Sequence, residues 1–403
     1  MLVRNRVIGA LEAKRDRFAG YQVEIRDRSN RFQEALAQLV SLTCDEIEAR
    51  LAASGEEWPG AYPTAEHDRL HDTVLSFGLP WNSHEEARAW AIQVLLDQTT
   101  YAVDGSQIPP SRDFSVPVAA IQVGWFENPH TPARPYVKDL LFEVLAPDEL
   151  ASQADDPGAS EGQAGASPFP DTLVNLRRFE AECRAVRDYM RAQAGLIPAP
   201  LCFFDGSLVV SFAHHMSPTL RQAYLDAVAG VLHASQTTRV PLVGYVDTSF
   251  ARDLTDMLSH TFGLPSPAHL NDGGLLRPHM QWGDRSQAFW CARDDGVLPL
   301  YDAQAGRIGF IYLKTTGDGH PARVELPGWL VEDNAELERV LNLIRAECVV
   351  GNGYPYALET ADAVAVISVE DRKRFYAAFQ QFADKEGLAM RYSRKALSKA
   401  TRR

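Results

Sequence analysis

A chain of 403 residues with 45% apolar and 23% charged side chains can bury a large core and has the balance of an ordinary soluble globular protein. Its 53 acids against 40 bases give a formal net charge of −13, which argues against a surface coated for nucleic-acid binding. No apolar run approaches the roughly 18 residues that span a bilayer, Met1-Leu-Val-Arg-Asn-Arg6 is not a signal-peptide pattern, and the five scattered cysteines form no C-x-x-C pair, so a reduced, cytoplasmic protein without disulfides or a zinc site is expected.

Residues 1–55 set Leu11, Phe18, Tyr21, Ile25, Phe32, Leu36, Leu39 and Val40 along one helical face with charges opposite, which predicts an N-terminal helical arm suited to packing or oligomerisation. A loop rich in Gly, Pro and His is expected from Gly55 to about Asn82. Ser83-His-Glu-Glu86 has capping-box spacing and opens a helix through Leu96. That helix feeds Thr100-Tyr-Ala-Val-Asp-Gly-Ser-Gln-Ile108. Tyr101, Ala102 and Val103 read as a buried strand, and Asp104 falls where Gly105 and Ser106 are expected to leave the sheet. Strands from Val116 to Phe126 and from Arg134 to Leu145 follow by short links, as an antiparallel meander. Residues 151–169, rich in Ala, Gly, Ser and Asp, cannot build a core and read as a flexible insertion.

A helix from Asp171 to Gln193, carrying Glu180 and Glu182, returns the chain to a second strand, Leu201-Cys-Phe-Phe-Asp-Gly-Ser-Leu208. Next come a helix (Pro218 to Ala234), a strand (Val240 to Val246), a helix (Arg252 to Phe262) and a looser β-rich region over 264–330. The chain closes with a helix from Asn334 to Val350, the segment Gly353-Tyr354-Pro355 and a charged helix from Val369 to Glu386. The last stretch, 391–403, has six basic residues and no acid. It reads either as a solvated end or as a phosphate-contacting arm with Arg391, Arg394 and Lys395 as DNA contacts.

Asp104 and Asp205 share one grammar, an apolar strand followed by Asp-Gly-Ser. If the two strands lie side by side, the carboxylates repel unless a divalent cation or a shared proton sits between them. An Asp-Gly turn is the plainer alternative at either position. Three antiparallel strands followed by helix–strand–helix–strand is the order of the ribonuclease H-like fold. The expected class is therefore α/β, a ribonuclease H-like mixed sheet with flanking helices, plus a helical N-terminal arm and a β-rich insertion. Asp247, just past Val246, reads either as the N-terminal acid of the next helix or as another strand-end ligand, and His214 and His215 have neither metal-ligand spacing nor a sequence partner. No P-loop, G-x-S-x-G or H-E-x-x-H occurs, so any ATP hydrolysis must come from a partner.

Taken together, Asp104-Gly-Ser-Gln107, Gln122-Val-Gly124, Asp205-Gly-Ser-Leu208 and Gly353-Tyr354-Pro355 resemble the NurA family, over about residues 84–385. The resemblance implies a metal-dependent DNA nuclease, a 5′-3′ exonuclease and single-strand endonuclease. Such a protein acts in double-strand-break end resection for homologous recombination, on single- and double-stranded DNA ends at the nucleoid. It implies a homodimer working with a HerA-type hexameric ATPase. The chain then divides into an arm and loop (1–82), a nuclease domain (83–390) and the basic tail. Asp104 and Asp205 match the family's strand-end metal ligands, Glu182 or Glu180 its helical glutamate, and Tyr354 its site tyrosine. Where the family usually places a histidine after an alanine, this chain has Ala361-Asp362, and Asp362 is the implied fourth ligand. Two Mn²⁺ or Mg²⁺ ions roughly 4 Å apart would serve phosphodiester hydrolysis. Two alternatives stay open: a ribonuclease H-like nuclease acting on RNA or branched DNA, and a catalytically silent adaptor of an ATPase.

Overall fold

The computed structural model describes residues 2–70, 72–78, 81–111, 114–151, 171–266, 269–293, 296–302 and 306–388. The expected insertion, from residue 152 on, and the basic tail with Arg391, Arg394 and Lys395 lie outside the described residues. The chain divides into two compact units. One comprises Met1–Pro80, Val246–Leu298 and Arg307–Glu325; the other comprises Trp81–Tyr245, Pro299–Gly306 and Leu326–Arg403.

In the first unit, helices Arg4–Glu12, Arg15–Leu39 and Cys44–Ser54 form the expected arm. Only its distal part meets a core. Phe32, Leu36 and Leu39 pack with Ile47, Leu51, Met257 and Phe310, while Leu11, Phe18 and Tyr21 stay exposed. The segment expected as a loop supplies strand Pro59–Pro63 instead, which pairs antiparallel with Phe289–Arg293. Local sequence hides such a strand, because its partner lies far along the chain. Strands Ile308–Leu313 and Ala322–Pro327 extend this β-rich region. Its buried charges are paired: Arg323 meets Asp253 at 2.7 Å and Glu325 at 2.8 Å, so neither sign is left alone away from water.

The second unit begins with α1 (His84–Leu95), whose N-cap Ser83 accepts from the Glu86 amide at 3.1 Å. Strands β1 (Thr100–Ile108), β2 (Ala119–Asn128) and β3 (Val137–Leu145) form the antiparallel meander. Helix α2 (Asp171–Ala192) leads to β4 (Leu201–Asp205), which runs parallel to β1. Helix α3 (Pro218–Thr238) is the crossover that a parallel neighbour requires, and β5 (Leu242–Val246) pairs parallel with β4. Strand order is β5–β4–β1–β2–β3. Leu201, Cys202 and Phe203 are all buried, as an unbroken apolar run covered on both faces must be. Helices α4 (Asn334–Val350), α5 (Tyr356–Ala365) and α6 (Val369–Lys385) complete the unit. The architecture is α/β, a mixed sheet flanked by helices in ribonuclease H-like order, with a helical N-terminal arm and a β-rich insertion. Among the described residues, no helix is long and apolar enough to cross a membrane.

A buried carboxylate joins three of these elements. Glu347 of α4, 1% exposed, accepts from the Thr100 hydroxyl at the start of β1 (2.8 Å) and from the Ala357 amide in the first turn of α5 (2.9 Å). His130 Nε2 stands 3.4 Å away. Glu347→Ala strands two buried donors, so it should lower unfolding free energy by about 2–4 kcal/mol, read as a fall in the urea midpoint. A midpoint within error of the parent's would show that Glu347 does not fasten α5 to the sheet.

Candidate active site

The two Asp-Gly-Ser motifs look alike in sequence and differ in structure. Asp205 is the last residue of β4, and Gly206 then turns the chain out at φ +106° with open space around it. Asp104 is not at a strand end. β1 runs on to Ile108, with Gly105 opposite Val123 and Ser106 opposite Gln122 on β2. What ends beside Asp104 is the pairing with β4, whose last partners are Val103 and Phe204. The sheet is therefore continuous on one side of Asp104 and open on the other, toward Asp205.

Gly105 serves a close approach. A Cβ there would collide with Glu182 Oε1 and stand 2.9 Å from Arg178 Cγ. Its missing side chain lets α2 set Glu182, 7% exposed, against the backbone just past Asp104. Arg178, one turn earlier, donates Nη1 to Glu182 and to the Gly105 carbonyl (3.3 Å). Glu180 is turned elsewhere and pairs with Arg177 at 3.1 Å. Of the two glutamates, Glu182 is the one brought to Asp104, as residues two apart on a helix must diverge.

Helix α5 is seated by a second glycine. A Cβ on Gly124, the register partner of Asp104, would stand 2.7 Å from the Ala365 amide nitrogen. Gln122 Nε2 donates to the Ala365 (3.0 Å) and Val364 (3.3 Å) carbonyls, closing the free end of the helix. This seating brings Asp362, itself solvent-exposed, near enough to Asp104 for its charge to raise the Asp104 carboxyl. In the turn before α5, the Tyr354 hydroxyl donates to Asp205 Oδ1 at 3.1 Å, and its ring meets Tyr245 edge-on at 5.4 Å.

Electrostatics follow from this crowding. Burial, then the charges of Asp205 and Asp362, raise Asp104 to about 6, against the pull of the Gly105 amide. Burial raises Glu182 to about 7; Arg178 opposes this, while Asp104 and Asp205 add to it. Asp205 is also raised, by burial first, with the Tyr354 hydrogen bond lowering it and Asp362 raising it.

The structure thus brings together Asp104, Glu182, Asp205, Tyr354 and Asp362, with Arg178 as the partner of Glu182. Asp247 belongs to the other unit and accepts from the Thr248 hydroxyl at 3.2 Å. Spacing of four on one helix flags Arg178 with Glu182, whereas sequence reasoning missed Glu347 as a support, since nothing local marks it.

Four carboxyl groups suit a hard divalent cation such as Mn²⁺ or Mg²⁺ in donor type. Among the described residues, however, no three acids, histidines or cysteines stand grouped as a ready metal-holding set. Glu182 is engaged by Arg178 and Asp205 by Tyr354. The residues fit the cation in chemistry, and binding it requires these carboxylates to turn toward one another.

Carboxylates on the neighbouring parallel strands β1 and β4, joined by a glutamate from α2, the helix that leads into β4, define a ribonuclease H-like acid-cluster protein. The NurA domain profile matches residues 98–367, and the chain belongs to the NurA family. Its structure is similar to that of the NurA nuclease from Sulfolobus solfataricus, at 12% identity and TM-score 0.52, over 96% of this chain and 98% of that one. It is also similar to NurA with manganese, at 11% identity and TM-score 0.41, over 71% and 89% of the two chains. For NurA bound to dAMP and manganese the values are 11%, 0.36, 69% and 86%. No curated protein matches the chain.

Two predictions follow from the geometry. In the unfolded chain Asp104 and Glu182 titrate near pH 4, whereas folded they hold their protons to about 6 and about 7. The folded state therefore binds more protons in that window, so without divalent cations stability should fall as pH rises from about 4 to about 7. Asp104→Asn should flatten the fall in a series of urea titrations; an identical slope would remove Asp104 from the effect. Separately, Gly105→Ala should cost about 1–3 kcal/mol by overpacking, and most of that cost should disappear in a Glu182→Ala background. The cost of Gly206→Ala comes from its left-handed backbone and should persist in that background.

Proposed function

We propose that this chain is a metal-dependent nuclease that hydrolyses phosphodiester bonds in DNA. The observation that carries the reading is the convergence of Asp104, Glu182, Asp205 and Asp362 on the open side of β1, where burial and the neighbouring carboxylates raise Asp104. So many carboxyls in a half-buried site destabilise the fold unless a cation draws them together, which makes function the reason for the cluster.

Asp104, Glu182, Asp205 and Asp362 would hold Mn²⁺ or Mg²⁺, two ions in the fullest form of the reading. When bound, the cations supply Lewis acidity that neutralises charge building on the phosphate. Tyr354 fixes the rotamer of Asp205 through its hydroxyl, and Arg178 keeps Glu182 in place until it is recruited. Arg178 Nε is buried without a hydrogen-bond partner among the described residues.

Membership of the NurA family supports action on DNA ends in break resection, 5′-3′ exonuclease and single-strand endonuclease activity, and work as a homodimer at the nucleoid with a HerA-type hexameric ATPase. In this reading the nuclease domain spans residues 83–390. The arm is the assembly element, consistent with its exposed Leu11, Phe18 and Tyr21. Arg391, Arg394 and Lys395 would contact DNA phosphates.

The test is digestion of end-labelled single- and double-stranded DNA. Cleavage should require Mn²⁺ or Mg²⁺ and stop with EDTA, and Asp104→Ala and Asp205→Ala should each reduce it at least a thousandfold while remaining folded. Cleavage that survives exhaustive EDTA dialysis would falsify the metal assignment. Asp362→Ala should raise the Mn²⁺ concentration for half-maximal rate, and Asp362→His should restore much of the activity, since imidazole also binds Mn²⁺. Superimposable metal titrations for parent and both variants would take Asp362 out of the ligand set.

A further inference from the structure

The segment that leaves Asp205 carries an exposed aromatic ring that the acid cluster does not use. After the Gly206 turn, Ser207 Oγ accepts from the Val209 amide (3.1 Å) and donates to its carbonyl (2.9 Å). The Tyr301 hydroxyl accepts from the Val210 amide and donates to the Leu208 carbonyl, both at 3.0 Å. With Leu208, Val209 and Val210 buried, the segment is firmly held. It then makes one short helical turn, Ser211–His215, that points Phe212 outward, 52% exposed.

Phe212 is braced from beneath. Its ring meets Tyr224 at 5.1 Å and 86°, and Phe179 at 6.3 Å and 81°. Phe179 in turn meets Phe204 at 5.8 Å and 85°. Phe204 is the residue before Asp205, and Phe179 the residue after Arg178, so the brace is rooted in two of the four elements that carry the acids. A lone exposed phenylalanine on a surface needs no explanation. One held by two aromatic contacts, on the segment that leaves Asp205, is fixed in position relative to the acid cluster. His214 and His215 stand exposed beside it, their rings 4.9 Å apart.

We infer that Phe212 is a stacking surface for an unpaired base of the nucleic-acid strand engaged at the acid cluster, a positioning residue that seats the strand by its bases while the acids address its backbone. The inference rests on the nuclease reading for the identity of the ligand. Aromatic stacking tolerates any base, because every base has a π-face. An unpaired base offers such a face, since inside a duplex both faces of each base are already covered.

The experiment compares two fluorescently labelled single-stranded oligonucleotides of equal length, one ordinary and one with abasic spacers, by anisotropy with the full chain in Ca²⁺ and by cleavage in Mn²⁺. Phe212→Ala should weaken binding of the ordinary strand by about 5- to 100-fold, from the worth of one stacked base. It should leave binding of the abasic strand and the saturating cleavage rate unchanged, and Phe212→Trp should bind the ordinary strand at least as tightly as the parent. Phe212→Leu keeps an apolar side chain on Phe179 and Tyr224 without the ring, so it gives the same readout should the alanine variant unfold. Equal weakening on both strands, no weakening on either, or no binding by the parent would overturn the stacking role. Base-dependent binding without cleavage would sink the nuclease reading and leave the stacking surface standing; cleavage without base dependence would do the reverse.

Discussion

Mutual repulsion among carboxylates in a half-buried site is the constraint to which the rest of the second unit answers. Asp104, Glu182, Asp205 and Asp362 come from two strands and two helices, and the first three are each shifted or tied by their neighbours. Without compensation such a cluster would open, since each charge raises the cost of the next. Arg178 compensates Glu182, Tyr354 takes one lone pair of Asp205, and Asp104 holds its proton to about 6. These are three different ways of keeping the cluster together without a cation.

Holding the cluster also requires backbone to come closer than side chains allow. Gly105 admits α2 and Gly124 admits α5, on residues adjacent in space across β1 and β2. Gln122 and Glu347 then fasten opposite ends of α5. Since a packed interior leaves little slack, a single methyl at either glycine would shift an acid-bearing helix by more than coordination tolerates. The stability of the fold and the precision of the site therefore depend on the same few contacts.

Much of the second unit was legible in the sequence. The apolar runs at Tyr101–Val103 and Leu201–Phe204, the helical periods around them and the meander all reflect local pattern, which physics reads over a few residues. The strand at Pro59–Pro63 was not legible, because a short segment with two prolines becomes a strand only when a distant partner pairs with it. The aromatic brace beneath Phe212 was equally hidden, since its rings come from α2, β4, α3 and the segment after β4.

By itself the sequence determined which residues were available for chemistry: two Asp-Gly-Ser motifs, a pair of helical glutamates, a late tyrosine and an aspartate. It could not distinguish the two motifs, whose local grammar is the same. Tertiary structure decided that one glycine is a turn, at φ +106°, and the other a contact surface under Glu182. It likewise decided between Glu180 and Glu182, because the direction of a helical side chain matters only once the helix has a neighbour to face.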